Sequence, residues 1–379
     1  SQVALCMMLL MGAGLLVRSL AKLQGIDPGF ERQNVVLLSV VPEMAGYKGP
    51  QVSHLESELL EKMRSLPGVQ TASVSLFTPM GVCCIGSEAH IQGYTPRPGE
   101  DLTVNVNYLG PDHFRTLGTP VLLGREFNDG DTATSQKVAV INESMARRFF
   151  VDASPLGRTL SVDDETPLQI IGVVGDLKNR SLREKTMPSA YRPLLQSEAG
   201  GAVVFEIRTA AEPAGTISAM KRLVRSVDSR IPVGLGGTLA QQVSDSLAQE
   251  RMVASLATVF GLLALLLANV GLYGLMAYAV TRRTGEIGIR MALGAGRGDV
   301  LWMVLRETLL LVTLGLAAGL PLALAATRLI KSQLFGLTVT DPTTILVTIM
   351  AMLAVAVLAS YLPARKATRV NPITALRYE

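Results

Sequence analysis

Histidine, cysteine and charged residues are scarce in this 379-residue sequence, and the shortage excludes several classes of function. Only 17% of the residues are charged and 49% are hydrophobic, which is too apolar for a soluble protein of this size. The three histidines (His54, His90 and His113) have no metal-ligand spacing to another histidine, cysteine or carboxylate, so we expect structural roles for them. Neither G-x-S-x-G nor the phosphate-binding G-x-x-x-x-G-K-S/T occurs. The sequence predicts no enzyme, no metal and no cofactor, and it leaves any ATP hydrolysis to another chain or a missing segment.

Cysteine usage predicts no disulfide framework. Cys6 lies in an apolar stretch, whereas Cys83 and Cys84 are neighbours in a loop. Adjacent Cα atoms lie about 3.8 Å apart, whereas a disulfide usually joins residues about 5.5 Å apart. We therefore expect the two loop cysteines to be small unlinked residues rather than a redox pair.

Four apolar stretches divide the chain into domains. The first opens the chain (Val3–Val17), and the others cover about residues 253–280, 301–326 and 343–362. Apolar runs near 20 residues are typical of membrane spans. The pattern predicts a first span and stalk (1–29), an outer domain (30–249) and a domain with three spans (250–379). The short first stretch and the non-methionine start suggest a fragment cut in or just before the first helix.

Basic residues beside these stretches predict the orientation in the membrane. The net charge is +4, and its clustering next to spans indicates the positive-inside pattern rather than nucleic-acid binding. Two segments carry most of these residues: Arg282, Arg283, Arg290 and Arg297, then Arg365, Lys366, Arg369 and Arg377. Both segments are expected in the cytoplasm, with the outer domain and the 328–344 connection outside. Arg18 and Lys22 conflict with this scheme unless the first helix continues out of the bilayer as a stalk.

The second span is predicted to be a long rod. Val253–Val280 has 28 residues, or roughly 42 Å of helix against a hydrocarbon core of about 30 Å. The preceding segment, Leu239–Arg251, also has a helical pattern. We therefore expect one continuous helix from the outer domain into the membrane.

The outer domain alternates strand and helix signals. Each of two βαβ units contributes a strand, a helix and a strand: Val35–Val41, Gln51–Ser65 and Val69–Phe77, then Val203–Arg208, Thr216–Val227 and Ile231–Leu235. An α/β subdomain is expected to be inserted at about residues 88–192, with strands near Val104–Tyr108, Lys137–Ile141 and Leu168–Val174 and a helix at Glu143–Phe150. The predicted fold class is a four-span α-helical membrane protein with an α+β, ferredoxin-like outer domain.

The segment Thr284–Val300 gives the strongest local signal. Glu286 and Arg290 have the i, i+4 spacing of a helical ion pair, and Ile287 and Met291, with Ala292 or Leu293, form an apolar side. A short amphipathic helix is predicted, which either rests on lipid or docks a cytoplasmic partner.

Two further features lie in the third span. Arg306 and Glu307 are expected either to pair with each other or to extend separately to the membrane interface. Gly315 and Gly319 form a G-x-x-x-G that predicts a close helix contact.

Ordered motifs along nearly the whole chain resemble one family. GEIGIRMALGAGRGDVLWMVLRE (285–307), preceded by ANVGLYG (268–274), and the tail (360–379) are similar to the FtsX-like permease domain of MacB-type ABC transporters. YLGPDHFRTLG (108–118), VLLGREF (121–127), VAVINESMARRF (138–149) and IIGVVGDLK (170–178) resemble the MacB-like periplasmic core. The opening residues, 12–29, look like the second half of a duplicated permease.

The resemblance implies an inner-membrane permease with a periplasmic domain. Its partners would be a cytoplasmic ABC ATPase, a second permease copy and the lipid bilayer, with a periplasmic adaptor or enzyme as a further candidate. The coupling helix to the ATPase would comprise Glu286, Ile287, Gly288, Arg290, Met291 and Leu293. ATP-driven movement would be transmitted through the spans for export or envelope remodelling. The alternative is an FtsX-like sensor or regulator of periplasmic partners without transport.

Overall fold

The computed structural model describes residues 2–81, 84–151, 153–162, 166–197, 201–234, 236–293, 295–329, 334–338 and 340–367. Its helices are α1 (Gln2–Gln24), α2 (Pro50–Arg64), α3 (His113–Leu117), α4 (Glu143–Phe149), α5 (Pro213–Val227), α6 (Leu239–Ser246), α7 (Ala248–Arg282), α8 (Thr284–Ala292), α9 (Arg297–Leu329) and α10 (Pro342–Ala367). Its strands are β1 (Val35–Val40), β2 (Val69–Ser75), β3 (Ile85–Ile91), β4 (Thr103–Leu109), β5 (Val121–Gly124), β6 (Val138–Asn142), β7 (Thr159–Val162), β8 (Leu168–Val174), β9 (Ser189–Pro193), β10 (Val203–Thr209) and β11 (Gly237–Thr238).

The chain forms two compact units. Residues 2–25 and 248–367 form the membrane unit, and residues 26–247 form the outer unit. In the membrane unit, α1, α7, α9 and α10 are long and apolar enough to cross a bilayer, as predicted. The unit's core is built on the buried face of α1, which contacts the other three long helices. Its buried members include Met7, Met11 and Leu15 from α1, Val312 from α9 and Met352 from α10.

One end of the outer sheet has the strand order β11-β1-β10-β2 with antiparallel neighbours throughout. Helix α2 connects β1 to β2, which are the elements of the first predicted βαβ unit, and α5 follows β10. The last strand differs from the prediction of Ile231–Leu235. Val233 makes only an isolated bridge to Val40, and the two-residue β11 pairs with β1 instead. Pro232 lacks an N–H donor, and the nearby glycines have low strand propensity, which explains the short pairing.

Strands β3 to β9 form the other end of the sheet, around a second apolar core. The predicted strands near residues 104, 137 and 168 form as β4, β6 and β8, and the predicted helix forms as α4. Asn142 caps α4 by accepting from the Met145 N–H at 3.0 Å. The same Asn142 oxygen accepts from Ser189 N at 2.8 Å, so one buried side chain joins the helix to β9.

The predicted continuous rod is wrong at one point. Helix α6 ends at Ser246, Leu247 donates its N–H to Ser244 O at 3.2 Å, and α7 begins at Ala248. Leu247 is buried together with Leu239 and Val243 of α6, which holds this turn to the outer unit. Helix α7 is still 35 residues long, or roughly 52 Å, so the stiff element starts at the membrane unit.

The loop cysteines also depart from the prediction. Cys84 is disulfide-bonded, although the sequence favoured unlinked loop residues. The spacing argument gives only a preference, and an extracytoplasmic compartment favours oxidation. Cys83 lies outside the described residues, and Cys6 is a free, buried thiol in α1.

Candidate functional site

Helix α8 lies between the two long helices α7 and α9 in the chain and presents two different faces. On the inner face, Ile287 is 6% exposed and packs in one apolar cluster with Val300, Val280 and Met291. These contacts join α8 to the last turns of α7 and the first turns of α9. Burial of a branched side chain there stabilises the helix by about 1.5–3 kcal/mol.

An ion pair adds a second connection between the same elements. Arg283, at the junction of α7 and α8, donates to Glu307 Oε2 of α9 at 2.9 Å. The sequence offered Arg306 as the partner of Glu307, but adjacent helix residues point about 100° apart and do not face each other. Both partners are about half exposed, so the pair contributes at most about 1 kcal/mol and mainly fixes geometry.

The outer face of α8 is exposed. Glu286 and Arg290 form the predicted i, i+4 pair at 2.7 Å, and Arg290 Nη1 also approaches Met303 Sδ at 3.2 Å. Beside them, Ile289 is 51% exposed and Leu293 is 83% exposed. Two large apolar side chains next to an ion pair form a surface that we call the α8 outer face (Glu286, Ile289, Arg290 and Leu293).

The structure therefore divides the residues that the sequence grouped together. Ile287 and Met291 pack inward, Gly288 belongs to the helix, and Glu286, Arg290 and Leu293 lie outward. Ile289 was missed by the sequence reasoning. Its spacing from Glu286 and Leu293, three and four residues, places it on their side of a helix and was the available signal.

Gly315 and Gly319 lie against α1. An ideal Cβ built on Gly315 would come within 2.8 Å of Val3 Cγ1, and one on Gly319 within 2.9 Å of Ala4 Cα. Only residues without side chains allow the two helices this approach. The glycines thus set the separation of α1 and α9.

The far end of α1 is fixed to the connection between α9 and α10. Arg18 forms an ion pair with Asp341, and Ser19 Oγ accepts from Phe335 N at 2.8 Å. Lys22 Nζ donates to the Gly336 carbonyl. Both basic residues that conflicted with the predicted orientation therefore have partners at residues 336–341, and Asp341 offsets the charge of Arg18.

Asp341 also caps α10. Its Oδ2 accepts from Thr344 N at 2.8 Å and from Thr344 Oγ1 at 2.7 Å. Burial raises the pKa of Asp341, but the Thr344 hydrogen bonds and the charge of Arg18 outweigh burial and lower it overall. The carboxylate is therefore ionised at neutral pH, as both contacts require.

One of the three histidines is buried in the outer unit. His113 is buried at the start of α3, with Nδ1 lying 2.7 Å from Glu206 Oε2 of β10. Ser75 Oγ of β2 donates to the other Glu206 oxygen at 2.8 Å. Among the described residues, no group of three or more histidine, cysteine, aspartate or glutamate side chains is arranged to hold a metal ion.

Two family descriptions match this chain. The MacB-like periplasmic core domain matches residues 3–227, and the FtsX-like permease C-terminal domain matches residues 258–372. The first match covers more than half of the chain.

Curated relatives agree with these matches. An uncharacterized ABC transporter permease, YknZ of Bacillus subtilis, is 27% identical over 286 residues, which cover 74% of this chain and 71% of that protein. The macrolide export ATP-binding/permease protein MacB of Chromobacterium violaceum is 27% identical over 333 residues, covering 81% of this chain and 50% of that protein. The chain thus spans about half the length of that relative. The solved periplasmic region of MacB from Actinobacillus actinomycetemcomitans aligns with a TM-score of 0.40 and 16% identity, over 58% of this chain and 95% of that one.

Proposed function

The chain belongs to the ABC transporter permease family that has a MacB-like periplasmic core and an FtsX-like domain, and from this premise we propose that it couples a separate cytoplasmic ATPase to movement of its periplasmic domain. It is a multi-pass inner-membrane protein with a periplasmic domain. ATP hydrolysis by the partner subunit would supply the energy, and the helices of the permease would transmit the movement.

The observation that carries the proposal is the two-sided construction of α8. Its outer face exposes Ile289 and Leu293 beside the Glu286–Arg290 pair. Exposing two neighbouring large apolar side chains to water is unfavourable, and such patches mark surfaces that bind a partner or lipid. A cytoplasmic ATPase subunit with an apolar cleft and flanking charges would fit this surface. Lipid is the other occupant, and the experiment below distinguishes the two.

The inner face of α8 would transmit a displacement of this helix to α7 and α9. The Ile287 cluster and the Arg283–Glu307 pair join α8 to α7 and α9. A displacement of α8 would therefore move the ends of two long helices rather than a free loop. Packed helices resist compression, so such a displacement is passed along their axes. The chain then enters the outer unit at residues 247–248.

The proposed assembly contains two copies of the permease and the ATPase subunits, with export or envelope remodelling as the output. A periplasmic adaptor or enzyme would be a further partner. Family membership supports these components, and the exposed α8 outer face supports the ATPase subunit in particular.

Co-purification with the cognate ATPase tests the proposal. Ile289→Ala with Leu293→Ala removes apolar contacts while leaving the Ile287 anchor, and Glu286→Lys with Arg290→Glu reverses both charges while preserving an i, i+4 pair. Each double variant should weaken recovery of the ATPase about tenfold or more, because a change of 1.4 kcal/mol is tenfold in affinity. Leu329→Ala is the matched control, since Leu329 is 85% exposed at the opposite end of α9.

A second readout is the ATPase rate in nanodiscs. Wild-type permease should raise the rate of the ATPase subunit, and the two double variants should not. Unchanged co-purification in both variants would contradict docking through α8 and leave lipid as its occupant. A wild-type chain that recruits no ATPase would instead favour the sensor or regulator function without transport.

A further inference from the structure

A cavity of about 460 Å³ opens in the outer unit beside α2. Its apolar wall is formed by Leu60 of α2, Val74 of β2 and Leu194 of the short 3-10 helix Leu194–Gln196. Gly110 and Pro111 of one loop and Asp129 and Thr132 of another also line it. Cavities of this size and composition hold small organic molecules.

Glu56 introduces a charge into this cavity. It shares one helix face with Leu60 and Arg64 through i, i+4 spacing, lines the cavity and is only 4% exposed. Within the described part of the chain, its carboxyl group has no hydrogen-bond or ion-pair partner. Burial, and to a smaller extent the nearby charge of Glu43 in the 42–45 turn, together raise the pKa of Glu56 to about 7. A buried carboxylate without a partner is costly, and partners normally compensate such groups.

Arg64 lines the same cavity, but its guanidinium group already pairs with two carboxylates. Its Nη1 donates to both carboxylate oxygens of Asp129 at 3.1 Å, and its Nη2 donates to Asp112 Oδ2 at 3.1 Å. Two carboxylates thus neutralise one guanidinium. With Glu61 also on the lining, the cavity carries a net negative charge even before Glu56 ionises.

We propose that this cavity binds a small organic cation, with an ammonium group paired to Glu56 and an apolar body against Leu60, Val74 and Leu194. A cation would supply the partner that Glu56 lacks among the described residues, and the leucine and valine walls would remove the rest of the ligand from water. A divalent metal fits less well, because it takes six or more oxygen ligands and no group of three or more carboxylates, histidines or cysteines among the described residues is arranged to hold one. The site lies in the outer unit and does not depend on coupling through α8.

Binding of three indole probes tests the proposal with the full chain in nanodiscs, measured by calorimetry against empty nanodiscs. Tryptamine carries an ammonium, 3-ethylindole is its neutral counterpart and indole-3-propionate is anionic. We expect saturable binding of tryptamine and at least about tenfold weaker binding of the other two, since a lost partner in a buried charge pair costs more than tenfold.

Two variants assign the binding to Glu56. Glu56→Gln keeps the shape of the side chain and should weaken tryptamine binding about tenfold or more. Glu61→Gln removes a charge from an exposed lining position and should change binding only slightly. Equal weakening by both variants would indicate general attraction to the rim and overturn the assigned pairing.

The pH dependence gives a measurement on the unmodified protein. The ammonium of tryptamine stays protonated from pH 6 to 8, as amines have pKa values near 10. Glu56 is mostly ionised at pH 8 and mostly protonated at pH 6, so the affinity should fall about tenfold on acidification. Binding near pH 7 should also release protons, since the cation stabilises the ionised carboxylate. No saturable tryptamine binding, binding of 3-ethylindole with equal affinity, or an affinity independent of pH would each overturn the proposal.

Discussion

A methyl group added at Gly315 or Gly319 should force α9 away from α1. A second substitution on α1 should relieve the clash at Gly315 but not the clash at Gly319. At Gly319 the new Cβ would lie 2.9 Å from Ala4 Cα, where ordinary contacts begin at 3.4 Å. The helices must therefore separate by about 0.5 Å, because a backbone atom cannot rotate aside. Overpacking of this kind costs about 1–3 kcal/mol. The higher helix propensity of alanine returns at most about 1 kcal/mol of it.

At Gly315 the obstacle is a side chain. The new Cβ would meet Val3 Cγ1 at 2.8 Å and Val3 Cβ at 2.9 Å. Val3→Gly removes both atoms, so Gly315→Ala should be largely rescued by it. Ala4→Gly leaves the Ala4 Cα in place, so it should not rescue Gly319→Ala. The expected coupling energy is about 1–2 kcal/mol for the first pair and near zero for the second.

Thermal unfolding of the full chain in detergent, followed by size exclusion, measures these differences. Gly274→Ala is the matched control, because a Cβ at that helical glycine of α7 meets nothing within 4 Å. It should leave stability unchanged or raise it slightly. If Gly319→Ala behaved like Gly274→Ala, or if Ala4→Gly rescued it fully, the inferred α1–α9 approach would be wrong.

Three further outcomes follow from buried polar groups. Asn142→Asp replaces an N–H donor that lies 2.8 Å from Asp176 Oδ1 with a second carboxylate. Urea unfolding should show a loss of about 2–4 kcal/mol in the free energy of unfolding, and the loss should be smaller at pH 5 than at pH 8, because protonation removes the repulsion. A loss that did not depend on pH would point to packing instead. Asp341→Asn should lose the ion pair with Arg18 but keep a cap for α10, whereas Asp341→Ala should lose both. The alanine variant should therefore lose about 0.5–2 kcal/mol more of stability, seen as faster amide exchange in the first turn of α10. Equal exchange in the two variants would contradict the cap. Glu56, with a folded-state pKa raised to about 7, stabilises the fold fully below its unfolded pKa near 4.5 and loses that contribution as the pH rises through 7. Glu56→Gln should flatten this part of the pH–stability curve, and an unchanged curve would exclude Glu56 as its source.

Part of the candidate site was predictable from local spacing. The Glu286–Arg290 pair formed as expected because i, i+4 neighbours meet on any α-helix. Ile287 and Met291 were expected to form an apolar side with Ala292 or Leu293. The two do lie in one apolar cluster, with Val280 and Val300, whereas Leu293 is exposed. Which side of a short amphipathic helix is covered depends on its neighbours, and the sequence of the helix does not contain that information.

Long-range partners were beyond sequence reasoning. Glu307 pairs with Arg283 rather than Arg306 because α7, α8 and α9 bring residues 24 apart together. Arg18 conflicted with the predicted orientation until Asp341, 323 residues away, supplied its partner. Spacing along one helix predicts only neighbours three or four residues apart.

The sequence by itself determined the four apolar helices, the family, and part of the outer unit, namely helices α2, α4 and α5 and strands β1, β2, β4, β6, β8 and β10, because each depends on local periodicity, on span length or on ordered motifs. Tertiary structure decided the break at Leu247, which side of α8 is covered, the contact of α1 with α9 and the burial of the Glu56 carboxyl group. These features depend on which distant groups lie within a few ångströms, since packing and desolvation act through space rather than along the chain.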